Sequence, residues 1–394
     1  MQANNKKITR YLIPAFLIIF YVAYASFKVL GQEHGHDSTS NVSQTSNQHT
    51  DEKGIHASHE NLPANEESHA KEEKIDAGKI IMEHIGDAYD WHIATIGHSH
   101  VSIPLPVILK DNNGVKIFLS SKFQHGHAVY QGYKLEKGKI VAVNADGSIN
   151  TQAQFFDISI TKNVASLLMS VILLCWLMLS VARQYKTNKG RAPKGIANVI
   201  EQLVLFVRDE VARPSIGPKY AKFLPYLLTI FFFIFINNLF GLIPFFPGGA
   251  NVTGNIAITM VLAIFTFVIT TYNGNKSYWG HILLPPGVPK ALWVLLIPIE
   301  IIGMFNKPIV LMIRLFANIT AGHIIILGFF SLIFIFGAMN QYLGYGVSVV
   351  SVAFTVFMNF IELLVAFLQA YVFTLLSALY FGTAVEEHHT KEHH

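Results

Sequence analysis

The sequence predicts an all-α membrane protein of about five transmembrane helices, with a long tilted C-terminal helical hairpin, an amphipathic surface helix and a small β-containing extracytoplasmic module ahead of them. Three observations predict it. Apolar residues make up 52% of the chain and charged residues only 14%, with 30 phenylalanines, far from the balance of a soluble domain. From Val164 onward, apolar runs of spanning length alternate with short polar connections. Within those runs stand a few isolated ionisable residues, Arg314 foremost. The net charge of +4 carries little meaning in such a chain and gives nucleic-acid binding no support.

The chain opens with Lys6, Lys7 and Arg10, then an apolar run from Tyr11 that closes on Ala23-Tyr24-Ala25. Residues 1–25 therefore read as a secretory signal peptide or, left uncleaved, as an anchor. Residues 26–79 are polar and carry His34, His36, His49, His56, His59 and His69. This composition buries too little apolar surface to offset ordering, so a disordered segment is expected, and its histidine spacing fits no metal-ligand set. Residues 80–157 change to short alternating apolar runs split by Asp111-Asn-Asn-Gly114 and Asn144-Ala-Asp-Gly147, the texture of a small extracytoplasmic β module. His98, His100, His125 and His127 read there as ordinary histidines, since no catalytic set accompanies them.

The membrane domain is expected over residues 158–385. Its first span, about Val164 to Ala182, runs into Arg183, Lys186, Lys189, Arg191 and Lys194, which the positive-inside rule assigns to the cytoplasm. Gly195 to Val211 mixes apolar residues with Glu201, Arg208, Asp209 and Glu210 at the spacing of a surface helix. Spans at about Phe223–Phe246 and Asn255–Tyr272 follow, then a loop broken by Pro285, Pro286 and Pro289. Two segments, about Lys290–Phe336 and Gly346–Ala384, exceed a perpendicular crossing, and steep tilt accommodates them. The tail, residues 386–394, falls in the cytoplasm by parity of crossings. Cys175 lies alone in an apolar run and reads as a small packed or lipid-facing residue.

Placing Arg314 at bilayer depth costs about 2.5–3.5 kcal/mol, and arginine cannot escape by deprotonation, so a permanent cation is required there. Glu300 lies fourteen residues earlier, nearly on the same helical face, about 21 Å toward the cytoplasm. His323 lies nine residues later, on the opposite face. Glu362 and Gln369, seven apart, share a face of the last helix. An antiparallel hairpin brings His323 and Glu362 together on the outer side, an imidazole beside a carboxylate and fit to pass protons. Two polar paths result, one opening outward and one toward the cytoplasm, with a fixed cation between them. Asn237 and Asn238 read as interhelix ties or as channel lining, and Lys307 as a snorkelling or lipid-binding lysine.

Arg314-Leu-Phe-Ala-Asn318 with Gly322-His323, and Gln369-Ala-Tyr-Val-Phe373 with Glu362 upstream, resemble subunit a of F-type ATP synthases. Asn238-Leu-Phe-Gly-Leu-Ile-Pro244, Glu300 and Lys307-Pro308 extend the match over about Phe156 to Ala384. The resemblance implies a proton-translocating stator of the cell inner membrane, working against a rotating ring of c subunits and held by the b-subunit peripheral stalk among the remaining synthase subunits. It implies that Arg314 faces the ring carboxylate. Asn318, His323, Glu362 and Gln369 are then implied to lie around the outer half-channel and the ring-facing surface, and Glu300 at the cytoplasmic exit, with Asn238 counted on the proton path as well. No cofactor is implied, and no phosphate-binding loop occurs in the chain.

The sequence also departs from the bacterial pattern. That pattern often has Glu in place of His323 and His in place of Glu362; here the two are exchanged, as in mitochondrial homologues, which retains one acid and one imidazole. Gly241 stands where some relatives have Asp, and Thr161 stands near another family acid. The pair favours H⁺ over Na⁺ as coupling ion. A solute or anion transporter using Arg314 as binding cation, and a metal-buffering role for the histidine-rich segment, are the rival readings.

Overall fold

The computed structural model describes residues 78, 86–96, 99–112, 114–187, 193–243, 246, 248–283 and 289–386. The expected signal or anchor, all but Gly78 of the histidine-rich segment, His98 and residues 387–394 lie outside the described residues.

The N-terminal module is antiparallel throughout. β1 (Asp90–Ile96) pairs with β2 (Ser99–Pro104), with a bulge between His92 and Ala94. β3 (Pro106–Asp111) lies between β4 (Gly114–Leu119) and the short β7 (Phe156–Asp157), and β5 (Tyr133–Glu136) forms a hairpin with β6 (Lys139–Ala142). Gly114 closes the β3–β4 turn at φ +122°, where a side chain would be strained. Alternation along β3 buries Val107 and Leu109 completely, and with Phe118, Phe123, Tyr133 and Ile140 they give the module its own core. His125 faces Asp90 at 3.3 Å, a partly exposed pair.

Eight helices follow among the described residues. α1 (Lys162–Thr187) is the first span. α2 (Ile196–Phe206) passes through a π-turn (Val207–Ala212), α3 (Arg213–Ile216) and a 3-10 turn (Gly217–Lys219) into α4 (Tyr220–Leu242). The surface helix and second span expected separately are thus joined almost without a break. α5 (Ile256–Asn273) begins at Asn255, whose side chain accepts the Ala257 N–H at 3.0 Å. The loop expected before the prolines contains a short α6 (Lys276–Leu283), started by Asn275, which accepts the Tyr278 N–H at 2.9 Å.

α7 (Lys290–Met339) and α8 (Gln341–Val385) form the hairpin, separated by Asn340 alone, whose side chain caps α8 by accepting the Tyr342 N–H at 2.8 Å. With 50 residues, α7 is about 75 Å long against a hydrocarbon core of about 30 Å, so it lies steeply inclined. Pro298 and Pro308 lie inside it and each removes a helical hydrogen bond. Five stretches are long and apolar enough to cross a membrane: 162–187, 196–242, 256–273, 292–339 and 341–385. The described chain is thus a multi-pass membrane protein.

Phenylalanines of α4 dominate the shared core, Phe231 and Phe232 packing with Leu262 of α5, Leu311 and Leu315 of α7 and Phe373 of α8. Phe223 stacks on Phe381 at 4.8 Å, tying the start of α4 to the end of α8. Nearby, a Cβ at Gly382 would fall 2.0 Å from the Ser215 carbonyl oxygen, so only glycine lets α8 meet α3 there. The outward faces of α7 and α8 are apolar and exposed, with Val294, Ile302, Phe360 and Leu364 among them.

Candidate functional site

Packing of α7 along α8 brings His323 and Glu362 together, Nδ1 to Oε1 at 3.2 Å, with side chains only 17% and 6% exposed. That is ion-pair distance, although Glu362 Oε1 accepts no aligned hydrogen bond. Two glycines make the room. A Cβ at Gly322 would lie 2.9 Å from Glu362 Oε1, and one at Gly241 of α4 would lie 3.4 Å from His323 Nε2. The carboxylate therefore approaches α7 over a bare backbone, and the far side of the imidazole faces a position without a side chain.

Asn238 is buried and its amide is satisfied in two directions. Nδ2 donates to the Ala366 carbonyl of α8 at 3.0 Å, and Oδ1 accepts the Thr253 hydroxyl at 2.6 Å. It is thus an interhelix tie that also holds the connection between α4 and α5. Asn237 donates to Phe233 O at 2.8 Å within its own helix, leaving its Oδ1 buried without a partner. Thr253 was not singled out in the sequence, because a threonine in a connection carries no signal until its partner is known.

Arg314 and Asn318 are exposed on one face of α7, while Leu311, Leu315 and Ile319 are buried against the neighbouring helices. Among the described residues, no hydrogen bond or ion pair reaches the Arg314 guanidinium. A fixed charge on an apolar face is held at a cost of several kcal/mol unless something outside the chain meets it. His323 stands two and a half helical turns further on, rotated by about 180°, so the cation and the imidazole–carboxylate pair occupy different sides of α7.

Gln369 shares the buried face of α8 with Glu362. Glu300 is half-buried and lies about 35 Å along α7 from His323, so the two ends of the site are far apart. Between Glu300 and Arg314, Lys307 turns inward, its Nζ 5.3 Å from the centre of the Tyr380 ring. It borders a cavity of about 10 Å³, room for about one water, also lined by Thr266, Thr270 and Tyr278. The Tyr380 ring of α8 offers its face to the ammonium there. The sequence thus brings His323, Glu362 and Asn238 to one region, with Arg314 and Asn318 on the open face and Glu300 toward the far end.

A family model described as ATP synthase A chain matches residues 164–382, and one described only as a domain of unknown function matches residues 80–161. The chain is similar to ATP synthase subunit a 2 of Chlorobaculum tepidum, 50% identical over 246 residues, covering 61% of this chain and 67% of the relative. It is 47% identical over 244 residues to ATP synthase subunit a of Chloroherpeton thalassium, covering 61% and 71%. A longer match, 38% identical over 328 residues, to ATP synthase subunit a of an Anaeromyxobacter species covers 80% of this chain and 73% of the relative.

Proposed function

Because the chain belongs to the ATP synthase A chain family, we propose that it is the proton-translocating stator subunit of an F-type ATP synthase, set against a ring of c subunits and held by the b-subunit peripheral stalk. The N-terminal module faces outward and the C-terminus the cytoplasm, as the lysines and arginines after α1 favour. Nucleotide chemistry belongs to other subunits; this chain moves protons.

In the synthesis direction a proton enters from the outer side, passes between Glu362 and His323, and is handed past Asn318 and Gln369 to a ring carboxylate. Neutralised, that carboxylate can move into lipid. After the ring turns, the carboxyl releases its proton toward Glu300 and the cytoplasm and becomes ionised. Arg314 attracts the ionised form, by about 4 kcal/mol for charges 4 Å apart at an effective dielectric of about 20. Because the guanidinium stays charged at any working pH, it carries no proton across and bars direct passage between the two routes.

The observation that carries this reading is the division of α7 into two sides: a buried imidazole–carboxylate pair at 3.2 Å, and an exposed guanidinium that the described chain leaves without an ion pair. Its test is Arg314→Ala in inverted vesicles holding the assembled complex. ATP-driven acidification is expected to fall at least about a hundredfold, the scale of removing a preorganised charge, with passive proton leak increased. Pumping at the parent rate would reject the stator reading in favour of a self-contained transporter.

A further inference from the structure

Residues 248–253 of the connection from α4 to α5 do not behave as a surface loop. Ala250, Asn251, Val252 and Thr253 are 0, 5, 0 and 1% exposed, whereas connecting segments ordinarily run through solvent. The N-terminal module helps to cover them. Trp91 of β1, 3% exposed, packs in the core of the membrane helices with Ala250 and Val252, and not in the module's own core. Its indole N–H donates to the Gly248 carbonyl at 3.1 Å, and its ring meets Phe246 edge-on at 5.3 Å. Gly248 is folded so tightly on the end of α4 that a Cβ would lie 2.3 Å from Ile243 O.

The module has its own anchor on α1. Asp87 accepts the Thr161 hydroxyl at 2.7 Å and the Asn163 N–H at 3.0 Å, capping that helix, while Ala88 O accepts the Lys162 N–H at 2.8 Å. From the held connection, contacts run to the site. Thr253 donates to Asn238, Thr320 of α7 donates to Gly254 O at 3.4 Å, and Ala250 O borders the Gly241 position beside the His323 imidazole. Asn251 Nδ2 is buried there without a partner, a place suited to a water.

We propose that residues 86–161 form a clamp on the mouth of the His323–Glu362 path, with Trp91 as its positioning residue, so that the module sets how readily protons reach the pair from its own side. This rests on reading the pair as the entry point. Asn238, Gly241, Ala250 and Thr253, which these contacts bring toward the pair, carry no charge, so the clamp works through geometry and water access.

The test is ATP synthesis by the assembled complex in sealed vesicles, with the pH on the module side varied, in Trp91→Phe, Trp91→Ala and Glu362→Gln. Loss of the indole hydrogen bond in Trp91→Phe is expected to raise the proton concentration for half-maximal rate about two- to tenfold, with the maximal rate at acid pH retained. Trp91→Ala should shift it further, and if that variant does not assemble, the phenylalanine variant decides. An assembled Trp91→Phe complex with the parent midpoint overturns the clamp. A lowered maximal rate with an unmoved midpoint overturns it too, because that is the mark of a merely structural tryptophan. Should Glu362→Gln also match the parent, the entry-pair reading has failed. Should Glu362→Gln abolish synthesis while Trp91→Phe changes nothing, only the clamp is lost.

Discussion

At Gly322 the missing side chain belongs to the site, since a methyl group there would stand 2.9 Å from Glu362 Oε1. The atom it meets is the free end of a flexible side chain, so Glu362 would swing away from His323 at little cost in packing. Gly322→Ala should therefore separate stability from conduction. Helix propensity favours alanine by about 0.5–1 kcal/mol, so thermal stability should hold or rise, while ATP-driven pumping falls about tenfold as the 3.2 Å contact opens. Pumping equal to the parent's would mean that the contact is not used. Arg314, His323 and Glu362 were legible in the sequence because ionisable groups in apolar runs need a reason. Gly322 and Gly241 were legible only as parts of a motif, because what a glycine makes room for depends on helices far away in the chain. Trp91 gave no signal at all, since an aromatic in a strand usually serves the core of its own sheet.

Among the elements, the spans were read to within a few residues from apolar length and basic flanks. The continuity of α2 with α4 was not, because Pro214 and Gly217 signal a break that a π-turn and a 3-10 turn bridge. The β5 strand of the module carries its own titration. Tyr133 donates to Asp111 at 2.9 Å, and its phenol is pushed up to about 12, first by burial, then by the hydrogen bond to Asp111 and by the charge of that carboxylate. Folding thus favours the protonated phenol, and the stability it contributes is present below the usual phenol value near 10 and is lost as pH rises toward about 12. Hydrogen exchange of β3 to β6, taken relative to the intrinsic base-catalysed rate at each pH, should accelerate over that window, and Tyr133→Phe should flatten the dependence. An equal acceleration in the phenylalanine variant would assign the loss to other groups.

For the molecule as a whole, the largest question raised by the fold is what covers the apolar outer faces of α7 and α8. Lipid can cover apolar side chains, but it does not answer the charge of Arg314, which no ion pair reaches among the described residues. The proposed ring of carboxylate-bearing helices would. A cysteine at Ile313, 49% exposed beside Arg314, should cross-link efficiently to a cysteine in the ring helix, and one at Ile172, 68% exposed on α1, should not. Equal yields from the two positions would remove the ring from that face. The joint between module and membrane domain also has a history in time. Trp91 precedes Gly248 by 157 residues, so at about 5–20 residues per second the ribosome delivers the tryptophan about ten to thirty seconds before the turn that receives it. Over that interval the indole has no socket, and the module's core of Val107, Leu109 and Phe123, with the Asp87 anchor on α1, must hold without it. The early half of the chain thus acts as a waiting template, and the turn takes its final shape only when the late half arrives.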